Sequence, residues 1–155
     1  MKTKHYPVRE GMKTVKNIVP VKTICEIADK YPAWVSARMT RSNNRGSVFH
    51  FSEKDCELLN SCLHVVSAEL KKLTLPIDQR RDPTAFYESM KAVCKFIKSS
   101  YLAKELGMAR GVWADHLAVG EDRYWFTYQE VAILQGAIDN AITELESIVL
   151  DYESL

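Results

Sequence analysis

Apolar positions recur along this chain at helical spacing, and the same pattern is written twice. Met12 to Val19, MKTVKNIV, aligns with Met90 to Ile97, MKAVCKFI, and the same offset carries Ile24, Cys25 and Ala28 onto Leu102, Ala103 and Leu106. Beyond a loop three residues longer in the first copy, FSEKDCELLNSCLHVVSAELKKL from Phe51 overlays FTYQEVAILQGAIDNAITELESI from Phe126. A period of half the chain predicts two compact helical units, and each copy then serves as a control for the other. A residue required for folding should recur in both.

The pattern predicts a short helix near Val8 to Ile18, stopped before Pro20, and a second over about Val21 to Lys30. A third opens at Pro32, with Val35 and Met39 one turn apart and facing inward, Ala33, Ser36, Ala37 and Thr40 facing outward, and Arg38 at the edge. The fourth and longest begins at Ser52, whose Asp55 three residues on completes a capping-box pattern that Thr127 and Glu130 repeat. Leu59, Leu63, Val66, Leu70 and Leu73 then alternate spacings of four and three, as do Leu134, Ile138, Ala141, Leu145 and Ile148. Such seams suit helix packing, and pairing them within the chain would give a pseudo-twofold dimer in one polypeptide; the rival arrangement leaves two tethered domains. The expected fold is all-α, with two pseudo-repeated units of about four helices each and their long fourth helices packed together. The units span 1–74 and 84–155, joined by a linker over 75–83 in which Asp82 and Pro83 start the next helix.

In the second copy SYLAKELGMARGVWADHLAVG resembles the helix-turn-helix of phage repressors and Cro proteins. Ala103 matches the small residue where the two helices cross, Gly107 the turn, and Leu102, Leu106, Met108 and Trp113 the apolar positions. The resemblance spans about twenty residues and implies double-stranded DNA as partner. The first copy, TICEIADKYPAWVSARMTRS, departs from it: Asp29 stands at the turn glycine and Lys30 at the next apolar position, which predicts a turn of different geometry.

Charge sharpens the contrast. The chain carries a formal net charge of only +1, yet Met1 to Phe51 holds ten Lys and Arg against three acids, net +7, and Tyr101 to the end holds three against ten, net −7. Phosphate neutralisation supplies most non-specific affinity for DNA, so the first copy is the expected DNA-binding half. Its candidate contacts are Lys30, Ser36, Arg38, Thr40, Arg41, Asn43, Asn44 and Arg45; arginine suits both guanine readout and phosphate contact. In the second copy the corresponding helix would expose Arg110, Ala114, Asp115 and His116, and Arg110 joins the candidate DNA contacts. The expectation is a small, non-catalytic regulatory DNA-binding protein of phage or mobile-element type. The alternative is a protein-interaction or inhibitor module that uses its acidic half against a basic partner.

Other chemistry is not indicated. Cys25, Cys56 and Cys62 align with Ala103, Val131 and Ala137, which marks them as small core residues, and Cys94 aligns with Lys16. A zinc site would need four converging ligands at motif spacing, and no nucleophile-base-acid set or phosphate-cradling glycine loop is written, so no metal, cofactor or enzyme activity is expected. Unpaired cysteine spacing and the lack of a long apolar run predict a cytoplasmic protein without membrane contact, either a monomeric pseudo-dimer or a homodimer.

Overall fold

The computed structural model describes residues 3–40, 50–117 and 125–154. Its order is β1 (Lys4–Pro7), α1 (Val8–Ile18), α2 (Val21–Ile27), α3 (Trp34–Met39), α4 (Glu53–Lys71), α5 (Pro83–Phe96), α6 (Ser99–Glu105), α7 (Arg110–Leu117), α8 (Tyr128–Ser147) and β2 (Ile148–Asp151). The class is predominantly helical, as the periodicity predicts.

Helix starts follow local chemistry. Ser52 Oγ accepts from the Asp55 amide at 3.1 Å while Asp55 Oδ2 accepts from the Ser52 amide at 2.9 Å. Thr127 and Glu130 repeat the exchange at 3.1 and 2.9 Å. Each box satisfies two of the amides that a helix N-terminus leaves without intrahelical partners. Asp82 Oδ1 caps α5 through the Ala85 amide at 3.1 Å, with Pro83 in its first turn. Phe51 and Phe126, just before the two long helices, are buried, and each meets a tryptophan from its own half: Trp34–Phe51 centroids lie 5.7 Å apart and Trp113–Phe126 centroids 5.8 Å.

α4 packs against α8, and the core is continuous across them: Leu59, Leu63, Val66 and Leu70 from α4, and Leu134, Ile138, Ala141 and Leu145 from α8, are all buried. Burying such a leucine contributes about 2 kcal/mol. The last positions of both seams leave the helices. α4 ends at Lys71, so Leu73 lies beyond it, and α8 ends at Ser147, so Ile148 opens β2 instead.

β2 pairs in parallel with β1, Lys4 opposite Ile148 and Tyr6 opposite Leu150, tying one end of the chain to the other. Helical periodicity does not anticipate this pair. α1 lies close against it because residue 11 is glycine; a Cβ there would collide with Leu150 Cδ2 and press on Tyr6. Asn60 holds the strand from its other side, its Oδ1 accepting from the Leu150 amide at 2.9 Å and its Nδ2 donating to the Leu150 carbonyl at 3.0 Å. Across the molecule, Gln135 Oε1 accepts from the Leu75 amide at 3.3 Å. Within 75–83, Leu75 and Gln79 are buried, and Gln79 Oε1 accepts from the Phe126 amide at 2.8 Å.

Candidate nucleic-acid interface

Two helix pairs occupy the aligned segments, α2 with α3 and α6 with α7, and their turns are built alike. Gly107 has φ +67°, and beside it the Met108 amide donates to the Ala103 carbonyl at 2.9 Å and the Gly107 amide to Lys104 at 3.0 Å. Asp29 has φ +56°, with the Lys30 amide donating to Cys25 at 2.9 Å and the Asp29 amide to Glu26 at 3.1 Å. The expectation of a different turn in the first copy is therefore corrected. Aspartate tolerates the left-handed region better than most side chains, and the hydrogen bonds closing the turn are backbone bonds that any residue can make. The helices are trimmed around it: α2 stops at Ile27 and not Lys30, and α3 starts at Trp34 and not Pro32.

On α3, Val35 and Trp34 are buried, Met39 is half-buried, and Ser36 and Thr40 are exposed. Thr40 Oγ1 donates to the Ala37 carbonyl at 3.2 Å, which leaves the hydroxyl oxygen free to accept. Lys30 is exposed and its ammonium lies 5.7 Å from the Trp34 ring centroid. Arg38 is held differently. Its guanidinium stacks 5.1 Å over Trp34, Nη1 donates to Tyr31 Oη at 3.2 Å and to the Trp34 carbonyl at 3.3 Å, and Nε stands 3.6 Å from Asp55 Oδ2 in the α4 cap. Arg38 thus fastens α3 to the start of α4, a role helical position alone does not reveal. Arg41, Asn43, Asn44 and Arg45 lie outside the described residues.

In the second pair Arg110 is exposed at the start of α7 and Trp113 is buried. His116, expected on the outer face, is buried instead, its ring 4.7 Å from Phe126 and its Nδ1 2.8 Å from the Val112 carbonyl. Trp113 and His116 are three residues apart and share the inward face. Arg110 lines a hollow of about 670 Å³ between α6 and α7, together with Lys104, Ser99, Ala103, Met108 and Trp113. The alignment held a signal for this place: Lys104 corresponds to Glu26 and Arg110 to Pro32, so cations appear where the first copy has none.

Three of the cysteines are held as thiols at neutral pH. Burial pushes Cys56 and Cys62 up to about 11, and raises Cys94 as well. All four cysteines are free, and no cluster of metal-ligating side chains occurs among the described residues. No described helix is long and apolar enough to cross a membrane. Comparison with known protein families, curated proteins and solved structures finds no match to this chain.

Proposed function

We propose that the chain is a tandem pair of one four-helix unit, joined about a pseudo-twofold axis, and that the basic first unit binds double-stranded DNA as a non-catalytic regulator. The pairing is supported by a reciprocal contact. Leu150 is held by Asn60, and Leu75 by Gln135, and the aligned offset of 75 carries Asn60 onto Gln135 and Leu75 onto Leu150. Each unit thus holds the segment that follows the other's long helix.

The observation that carries the DNA reading is the left-handed turn at Asp29. It gives the half with net charge +7 the same turn, in φ and in backbone hydrogen bonds, as the half whose sequence resembles a helix-turn-helix. The helix pair itself holds Lys22, Lys30 and Arg38 against Glu26 and Asp29, and the rest of the positive charge flanks it, in the amino-terminal segment and at Arg41 and Arg45. Lys30, Ser36 and Thr40 are the exposed contacts on the pair, and Arg41, Asn43, Asn44 and Arg45 follow directly in sequence. Arg38 acts as a positioning residue that fixes α3, and Arg110 belongs to the half whose net charge of −7 disfavours a phosphate backbone.

The test is fluorescence anisotropy with a mixed-sequence duplex across a salt series, comparing wild type with Lys30→Ala/Arg41→Ala/Arg45→Ala. Wild type binds at low salt with affinity falling as salt rises, and the triple variant flattens the logarithmic salt slope by about 0.9 for each phosphate it no longer neutralises. No binding at low salt, or binding indifferent to the triple change, overturns the reading.

A further inference from the structure

We infer that the hollow between α6 and α7 is a binding site for a small carboxylate with an apolar body. This site stands apart from DNA binding by the first half. The volume, about 670 Å³, is that of a small-molecule site and not of a packing defect. Its wall is apolar: Ala103 and Trp113 are buried and Met108 half-buried. Exposed Lys104 and Arg110 line it too, and neither forms an ion pair among the described residues.

The placement of these two cations is the selective feature. From Tyr101 onward the chain has only Lys104, Arg110 and Arg123 against ten acids, and two of the three meet at this hollow. A long polyanion would feel the acidic surroundings, whereas a single carboxylate within a few ångströms of both cations is dominated by them, since more distant surface charges are screened. The first copy builds the same turn with Glu26, Pro32 and Val21 at the positions of Lys104, Arg110 and Ser99, so folding does not require the cations.

Trp113 points to the same ligand independently. Its indole Nε1 is buried and has no hydrogen-bond acceptor, although buried donors are nearly always paired. A carboxylate oxygen entering between the helices, with a small rotation of α7 about the Gly107 turn, supplies that acceptor while its apolar body covers Ala103 and Met108. Ligand occupancy would thereby be coupled to the angle between α6 and α7.

The experiment follows the indole N–H resonances of the ¹⁵N-labelled full chain, with the Trp113 signal identified by Trp113→Phe. The probes are 3-phenylpropanoate and 2-naphthoate, their neutral carboxamides, inorganic phosphate, and a DNA duplex. The two acids are expected to move the Trp113 resonance saturably. The amides and phosphate, and either acid with Lys104→Ala/Arg110→Ala, should bind about ten-fold more weakly. The charge-conserving Lys104→Arg/Arg110→Lys pair should retain binding, and circular dichroism should find the helices of both variants unchanged. A Trp113 resonance unmoved by millimolar acid, amides equal to acids, or binding unaffected by removal of both cations overturns the site. Movement by duplex but not by the acids overturns it as well, and makes the hollow a nucleic-acid contact.

Discussion

Asp29 and Gly107 occupy the same bend in two helix pairs, at φ +56° and +67°, with corresponding backbone hydrogen bonds. Only one of them is the residue such a bend favours. The difference teaches that packing on either side holds the turn, through buried Ile24, Cys25 and Val35 in one case and Leu102, Ala103 and Trp113 in the other. Backbone shape is thus common to the two regions while surface chemistry is not. Asp29 lies in the basic half, with Lys30 and Arg38 set against Trp34; Gly107 lies in the acidic half, with two cations gathered beside a hollow.

The likeness of the halves can be broken most forcefully at the seam. Leu63→Asp and Ile138→Asp occupy aligned buried positions on α4 and α8, and each should cost about 3–5 kcal/mol by burying an unpaired charge. Because the two helices share a core, thermal melts followed by circular dichroism should show both halves unfolding in one transition. A variant that melts in two steps, one at the wild-type temperature, would mean the halves are independent.

The turns give a smaller effect. Gly107→Ala should destabilise by about 1 kcal/mol in urea, because a Cβ is strained at positive φ, while Asp29→Gly should stabilise by no more than about 0.5 kcal/mol, relief of strain being offset by chain entropy. A neutral Gly107→Ala would show that the second turn does not depend on its glycine.

A pH contrast also separates the halves. Cys56 and Cys62 are held protonated by burial up to about 11, against an ordinary 9.0, whereas the aligned Val131 and Ala137 do not titrate. The unfolded chain releases these thiol protons first, so the stability from keeping them is intact below pH 9 and is lost as pH rises toward about 11. The melting temperature of Cys56→Val/Cys62→Ala should therefore fall less across that window than that of wild type. Parallel curves would mean the thiols are not protected.

Features that depend on residues within one helical turn were legible in advance. Ser52 with Asp55, Thr127 with Glu130, and Asp82 with Pro83 each place a helix start, because donor and acceptor are separated by three residues or fewer. The buried faces of α4 and α8 follow from spacing, and three cysteines read correctly as core through their apolar counterparts. The candidate site was legible only in part: Ser36 and Thr40 are exposed as their outward positions imply, and Lys30 is exposed beside the turn although it aligns with an apolar position, whereas Arg38 is drawn to Asp55, a residue seventeen positions away, and His116 turns inward onto Phe126.

By itself the sequence determined the helices, their inward faces and the opposed charges of the two halves, since these rest on local periodicity and composition. Tertiary structure alone decided that β1 and β2 join the chain's ends, that Asp29 is forced into a glycine's conformation, and that Lys104 and Arg110 face one hollow with Trp113. The physical reason is common to all three. Each is fixed by packing between segments that local spacing does not couple, so its energy appears only once the core has closed.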